Sequence, residues 1–501
     1  MSSDILVTKV NESYLHIDCD KDISMELSEN FSFQMVGYQY APLYNMGKWD
    51  GYIRLYSLAK KQLPLGLLDE LKKFCSDRGY TIDVASGKYG TPGETANITL
   101  NDVSDFVSTL GLDTRAKPIE VRDYQLQGIY LALHNYRAIL NSSVGSGKSL
   151  MISGICRYVI EKYNYKTLII VPTISLTKQM KSDFADYFGH TGWSADDNIH
   201  TITAGVDKNV DKNIVVSTYQ SLAKLDSKWF NQFGLILVDE AHKITATTIA
   251  NIFNKATEVK YKLGVTGTTH DIKCNILQMI GLTGKIFDIA SSAKLIEAGH
   301  LSPLKIRALV LKYPVDVCKN LKSMDYDAEI HYICSNEKRI SFISKLALSC
   351  KGTTLILFRF VEMQGIPIYN KLLELAGTNR KIHYIAGSVS GEDREEIRTA
   401  ANESADIIVA SGQTFATGVN LPSLENIIFA SPTKSSITVI QSVGRGLRLK
   451  DSKTHCTLYD IADDMSYKKH INTTLGHFGE RLNIYIKNGF TFDIITLPFS
   501  P

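Results

Sequence analysis

Short β-branched runs alternate with helical periods twice over along this chain, and that double alternation restricts the fold more than any other feature. From residue 118 the runs AILNSS, KTLIIVP, NIVVSTY, LILVDEAH and YKLGVTGT are each followed by a stretch of helical spacing. Apolar runs without a polar face need cover on both sides, which a parallel sheet between two helix layers supplies. The alternation restarts after residue 303 with TLILFRF, KIHYIAG, DIIVAS, NIIFAS and HCTLYDI. The sequence therefore predicts an α/β protein with two tandem parallel-sheet domains, at 115–300 and 301–464. A small α+β domain at 1–114 precedes them and a helical tail at 465–501 follows.

At 501 residues the chain has room for about three domains of about 100–200 residues each. Hydrophobic residues make up 44% and charged residues 21%, which excludes a largely disordered chain. No apolar run approaches the roughly 18 residues needed to cross a bilayer, so no membrane association is expected. The start, MSSDILVTKVNES, lacks the basic and apolar regions of a secretory signal, and a cytoplasmic location is expected. None of the eight cysteines forms a CxxC pair, which reads as reduced thiols rather than disulfides or a zinc site. Net charge is +3, but residues 1–115 hold 11 basic and 16 acidic side chains (−5), and the rest hold 44 and 36 (+8). The positive excess lies after the first domain and is too small to establish nucleic-acid binding by itself.

The strongest local signal is SSVGSGKS, residues 142–149, between the strand AILN and the helix LMISGICRYVIEKY. A glycine-rich turn entering a helix aims backbone N–H groups at a phosphate, and the helix dipole adds to the attraction. Ser143, Val144, Gly145, Ser146 and Gly147 would form that cradle. Lys148 would reach the β- and γ-phosphates, and the Ser149 hydroxyl would hold Mg²⁺. Ser142 stands where the strict pattern has glycine. The second part is LILVDEAH, in which a strand ends on Asp239 and Glu240. Adjacent carboxylates at a buried strand end are costly without a cation, so Asp239 is the expected partner of Mg²⁺. Glu240 is placed to polarise an attacking water. ATP and Mg²⁺ are the cofactors this pair implies.

These residues resemble the motifs of superfamily 2 DEAH-box helicases and translocases, in the family's order, over about 118–465. The resemblance implies two RecA-like domains. Within RDYQLQ, Gln125 is similar to the glutamine that reads adenine, with Arg122 and Tyr124 beside the base. VPTISLTKQ, TITAG and STYQSL look like DNA-tracking segments, which implies nucleic-acid contacts at Thr173, Gly205 and Thr218. His242 of DEAH and Thr266 and Thr268 of the TGT motif would couple hydrolysis to domain movement. LILFRF looks like motif IV. TFATGVNLPS supplies Thr414 as a further DNA contact and Gly418 as a nucleotide contact, with Asn420 where the family often has an acid. QSVGRGLR matches QxxGRxxR, which implies Gln441, Arg445 and Arg448 as catalytic residues reaching the γ-phosphate when the two domains close.

A narrower resemblance is to the UvsW-type helicases of phages. It rests on NMGKWDGYIRLYSLAKKQLPLGLLDELKKFC, the spacing to RDYQ, the segment LIEAGHLSPLKI and QSVGRGLR. It implies ATP-driven remodelling of branched DNA, with single- or double-stranded DNA as partner and RNA as a further ligand in R-loops. A single-stranded DNA-binding protein would be a partner, and the host cytoplasm the location. The first domain would be a duplex- or branch-binding module presenting Lys48, Trp49, Arg54, Lys60 and Lys61. For Trp49 the plainer reading is a turn anchor, and for the lysines a solvated face. YKKHINTT also reads as a solvated face. Rival readings are a restriction-type duplex translocase, an RNA helicase, a P-loop kinase and a nucleotide-gated binding protein. The kinase leaves the whole second sheet unexplained.

Overall fold

The structure, a computed structural model, describes residues 3–501 except 36, 115–116, 245–246, 268–272, 378–379, 388–405, 413–423, 433–443 and 445–454, and excludes the side chains of 273 and 274. Two compact units emerge: Met1–Ser142 with Gly147–Ile289, and Ser143–Ser146 with Ala290–Pro501.

The first unit opens on a four-stranded sheet. Its strands are β1 (Ile5–Lys9), β2 (Tyr14–Cys19), β3 (Gln62–Pro64) and β4 (Ile82–Ala85), in the order β3-β2-β1-β4. Alternation along β1 puts Ile5, Val7 and Lys9 inside. Two longer helices, α1 (Lys21–Asn30) and α2 (Leu68–Arg78), and a small two-stranded sheet of Ser32–Gln34 with Tyr52–Arg54 accompany it in this domain, and Gly79 ends α2 in the left-handed conformation. Its core of Leu15, Ile17, Leu63, Leu67 and Leu71 also takes in Leu277 and Ile280 from the next domain.

The next helix, α3 (Leu100–Thr109), starts at a reciprocal cap between Thr99 and Asp102. Its apolar face, Val103, Phe106 and Val107, joins the core of the first parallel-sheet domain. The N-terminal domain therefore gives way well before residue 114, because α3 packs forward rather than back.

The first parallel sheet comprises β5 (Arg137–Ser142), β6 (Thr167–Val171), β7 (Ile199–Ile202), β8 (Ile214–Thr218), β9 (Leu235–Asp239), β10 (Tyr261–Thr266) and β11 (Ile286–Ala290). Their order is β7-β8-β6-β9-β10-β5-β11, and the pairings from β7 through β5 are parallel. One face carries α4 (Asp123–Asn135), α5 (Lys148–Tyr163) and α6 (Ile174–Phe188). The other carries α7 (Thr247–Lys255) and α8 (Lys273–Thr283).

The second sheet, in the second unit, comprises β12 (Leu304–Lys312), β13 (Thr353–Phe358), β14 (Ile382–Ile385), β15 (Ile407–Ser411), β16 (Leu424–Phe429), β17 (Cys456–Asp464) and β18 (Phe492–Pro498). Their order is β14-β15-β13-β16-β17-β12-β18, parallel throughout. Helices α9 (Tyr326–Ser335) and α10 (Glu337–Ser349) precede β13, and α11 (Thr473–Lys487) precedes β18.

The C-terminal segment, expected as a helical tail, thus holds its helix and adds a strand to the second sheet. Strand β18 pairs with β12 from Ile306↔Phe492 to Lys312↔Pro498. Helix α11 is bolted down at its start and its middle. At its start the Glu329 carboxylate accepts from the Thr473 and Thr474 N–H groups at 3.0 and 2.8 Å. At mid-helix Arg481 donates to Asp460 at 2.8–3.0 Å, and both side chains are buried. A second buried pair, Arg339–Asp463, holds the tip of β17, with Arg339 also donating to the Ala430 carbonyl at 2.6 Å.

Candidate nucleotide site and relatives

Three adjacent strands of the first sheet, β9, β10 and β5, end where the motif residues begin. The register sets Asp239 opposite Val265, and Thr266 opposite Asn141. One strand separates the Asp239 carboxylate from the start of the glycine-rich turn, a span of about 10 Å at the usual strand spacing. A phosphate chain and a hydrated cation fit such a gap.

Gly145 and Gly147 have φ of 84° and 83°, values that side-chain-bearing residues rarely adopt. Gly147 also has no room for a Cβ, which would lie 2.2 Å from Gln125 Nε2. Lys148 opens α5, and its ammonium donates to the Ser142 carbonyl at 3.3 Å, across the base of the turn. Ser149 follows, half-buried. Gln125 is buried in the first turn of α4. Its side-chain carbonyl accepts from the Arg122 N–H at 3.0 Å, and the Arg122 guanidinium donates to the Tyr124 hydroxyl at 2.9 Å.

Burial is the main cause that pushes the Asp239 carboxyl up to about 7, and the neighbouring Glu240 charge adds to it. Lys148 opposes both. A carboxylate raised in this way gains from a divalent cation. Ser149 and Asp239 supply two hard oxygen donors. Among the described residues no group of three or more metal-ligating side chains gathers anywhere. Ser149 and Asp239 as oxygen donors would suit Mg²⁺, which keeps waters and leans on substrate phosphates.

Glu240 has φ 59° and ψ 54°, the left-handed region, at a cost of roughly 1–3 kcal/mol for such a residue. That twist starts the single turn Ala241–Lys243 and points the chain back over β10. Gly264 makes this possible, since a Cβ there would lie 2.7 Å from the Ala241 Cβ. Buried His242 then brings Nδ1 within 3.2 Å of Thr266 Oγ1 and 3.4 Å of Glu240 Oε2. Acid, histidine and strand-end threonine form one contact chain. The sequence supplied those three residues but neither the left-handed Glu240 nor the clearance at Gly264, which depend on how β9 and β10 pack.

The other half of the same sheet edge holds the DNA-tracking candidates. Thr173 follows β6, Gly205 follows β7 and Thr218 ends β8, so the three share one rim. Thr173 Oγ1 caps α6, accepting from Leu176 N–H at 3.4 Å, and buried Thr218 Oγ1 lies 3.0 Å from Ser221 Oγ. Gly205 is exposed, with φ 82°. Trp49 donates to the Tyr52 carbonyl at 2.9 Å, as a turn anchor does. Thr268, Thr414, Gly418, Asn420, Gln441, Arg445 and Arg448 lie outside the described residues.

A phosphate-loop site on one parallel sheet, with a second parallel sheet of the same make after it, defines a tandem-domain motor ATPase of the superfamily 2 helicase class. The family models agree. Residues 4–85 match the UvsW DNA helicase N-terminal family, 118–271 the type III restriction enzyme res subunit, and 338–450 the helicase conserved C-terminal domain. The ATP-dependent DNA helicase uvsW of Enterobacteria phage T4 is 34% identical over 99% of both chains. The T4 UvsW crystal structure aligns over 99% of both chains at 32% identity and a TM-score of 0.53. A putative HsdR fragment from Vibrio vulnificus, at 16% identity and a TM-score of 0.56, shares the fold. The chain belongs to the UvsW family of ATP-dependent DNA helicases.

Proposed function

We infer that this ATP-hydrolysing helicase remodels branched DNA: it unwinds R-loops, migrates Holliday junctions and regresses stalled forks in recombination, repair and replication. The observation that carries the reading is the alignment with the T4 helicase over nearly the whole of both chains. ATP lies between the turn 143–147 and Asp239, with Lys148 on the phosphates and Gln125 toward the adenine. Ser149 and Asp239 would hold Mg²⁺, which would supply charge neutralisation on the phosphates. Glu240 takes the proton of the attacking water. Arg445, Arg448 and Gln441 complete the site from the second domain on closure. The change at the γ-phosphate reaches the rim at Thr173, Gly205 and Thr218 through Glu240, His242 and Thr266, with Thr268, Thr414 and Gly418 serving the same cycle. The N-terminal domain holds the duplex or branch. RNA strands of R-loops and a single-stranded DNA-binding protein are the accompanying partners, in the cytoplasm of a host cell. No helix among the described residues is long and apolar enough to cross a membrane.

The test is steady-state ATPase without nucleic acid and with single-stranded DNA, duplex, four-way junction and RNA at fixed salt. Stimulation strongest with the junction is expected; stimulation by RNA alone would replace this reading with an RNA helicase. Lys148→Ala should abolish turnover with DNA binding kept. Glu240→Gln should lower kcat by about 10²–10⁴ while ATP still binds.

A further inference from the structure

Strand β16 of the second sheet ends at Phe429, beside β13. Ala430 still donates to the Leu357 carbonyl at 3.0 Å, and Pro432 has no N–H to give. The chain therefore leaves the ladder at Ser431. Next to that exit β13 runs through Arg359 and Phe360 into a π-helical turn, Val361–Gly365. The Gly365 N–H closes the turn on the Phe360 carbonyl at 2.9 Å. A Cβ on Gly365 would lie 2.6 Å from the Phe358 ring, so only glycine lets the turn fold onto the strand end. Turns of this kind are rare and often sit at functional sites.

The turn delivers Gln364, fully buried, to the end of β16. The Ala430 carbonyl can only accept, so the Gln364 amide nitrogen faces it, at 2.8 Å. The amide oxygen then takes the Ser431 hydroxyl proton, and Ser431 Oγ accepts in turn from the Arg359 N–H at 2.9 Å. Arg339 donates to the same Ala430 carbonyl at 2.6 Å while pairing with Asp463. Both lone pairs of that carbonyl are thus used, and each donor meets an acceptor. Glutamate at 364 would set acceptor against acceptor at Ala430, and methionine would make neither bond.

Such a network adds little stability, because apolar groups of the same shape can do about as well. A fully satisfied network instead holds the chain in one direction. We propose that Gln364 is a positioning residue for ATP hydrolysis. It fixes how the chain leaves β16, and through that the aim of Gln441, Arg445 and Arg448, 10 to 17 residues beyond Ser431. Being buried, it acts through those residues and not on the nucleotide. The proposal rests on the assignment of the two arginines to the γ-phosphate. A misplacement of about 1 Å can cost roughly a hundredfold in rate, which gives a clamp at the root of their segment its leverage.

The experiment measures DNA-stimulated ATPase of the full chain, with melting curves, for Gln364→Met, Arg445→Ala, the double variant and Tyr485→Phe. The last removes a buried hydrogen bond to Asp460 in the same unit, away from Ala430 and Ser431. Gln364→Met should lower kcat by about 10- to 100-fold with KM for ATP unchanged, the mark of a contact that matters only in the transition state. In single-turnover assays the double variant should be no slower than Arg445→Ala, since the two losses share one route. Tyr485→Phe should melt lower with kcat kept. Should Gln364→Met fail to fold, the smaller change Ser431→Ala takes its place, with the same split expected. Wild-type kcat in Gln364→Met overturns the proposal. So do losses that multiply in the double variant, or an equal fall in Tyr485→Phe, which would mean general loosening of the unit. Wild-type kcat in Arg445→Ala strikes the arginine assignment itself, and the proposal falls with it.

Discussion

Asp239 carries an electrostatic load that its neighbours only partly relieve. Its carboxyl sits at about 7, above the value near 3.9 of an unfolded chain. A proton on the folded form is therefore stabilising, and stability declines as pH rises from 4 through 7. Asp239→Asn should melt higher than wild type at pH 8 without nucleotide or Mg²⁺, by at least about 2 °C, with the gain shrinking toward pH 5. Equal melting at pH 8, measured by calorimetry, would contradict this. Gly264→Ala should destabilise by about 1–3 kcal/mol and lower kcat, because the new methyl meets Ala241 and displaces His242. The places of Asp239 and Glu240 at a strand end and of Lys148 at a helix start are legible in sequence, because a buried β-branched run and a glycine-rich turn mark them. The need for Gly264 is not, since only the packing of the next turn creates it.

Among elements, the parallel strands announced themselves as uninterrupted β-branched runs. Two pieces did not read true. Residues 100–109 show an apolar helical face, but amphipathicity does not say which core receives it, and α3 joins the later one. FDIITLP, mostly exposed, is a strand only because β12, almost 190 residues earlier by number, offers its edge. The segment 473–498 is hence part of the second sheet's stability. Arg481→Ala should destabilise this unit by about 3–5 kcal/mol, since it leaves Asp460 buried without its cation, with the Tyr485 hydroxyl still donating to it at 2.8 Å. Urea denaturation of the full chain reads the loss as an earlier second-unit transition.

On the scale of the molecule, the turn between β1 and β2 plugs the N-terminal domain into the first motor domain. The Glu12 N–H donates to the Thr257 carbonyl at 2.7 Å, and Ser13 Oγ contacts the Phe253 and Ala256 carbonyls. Buried Lys262, on β10, donates to Ser13 Oγ at 2.5 Å and to the Phe253 carbonyl at 3.0 Å. Burial first, and Arg137 nearby second, drive its ammonium well below the usual lysine range. The unfolded chain then binds the extra proton, so stability rises with pH up to about 10. Lys262→Met should raise the melting temperature of a 1–289 fragment, most at pH 6 and least near pH 10. A gap that grows with pH would refute the assignment.

That plug has a bearing on modularity. Ser13 and Lys262 are 249 residues apart in sequence, yet each completes the other's hydrogen bonding. An N-terminal module sealed in this way is not a cassette. Grafting residues 1–85 onto a foreign motor would leave the Glu12 N–H and the Ser13 hydroxyl without the Phe253, Ala256 and Thr257 carbonyls and the N-terminal core without Leu277 and Ile280, so chimeras should keep their fold only when α7 and α8 travel with the graft. The head and the first motor domain belong to one compact unit.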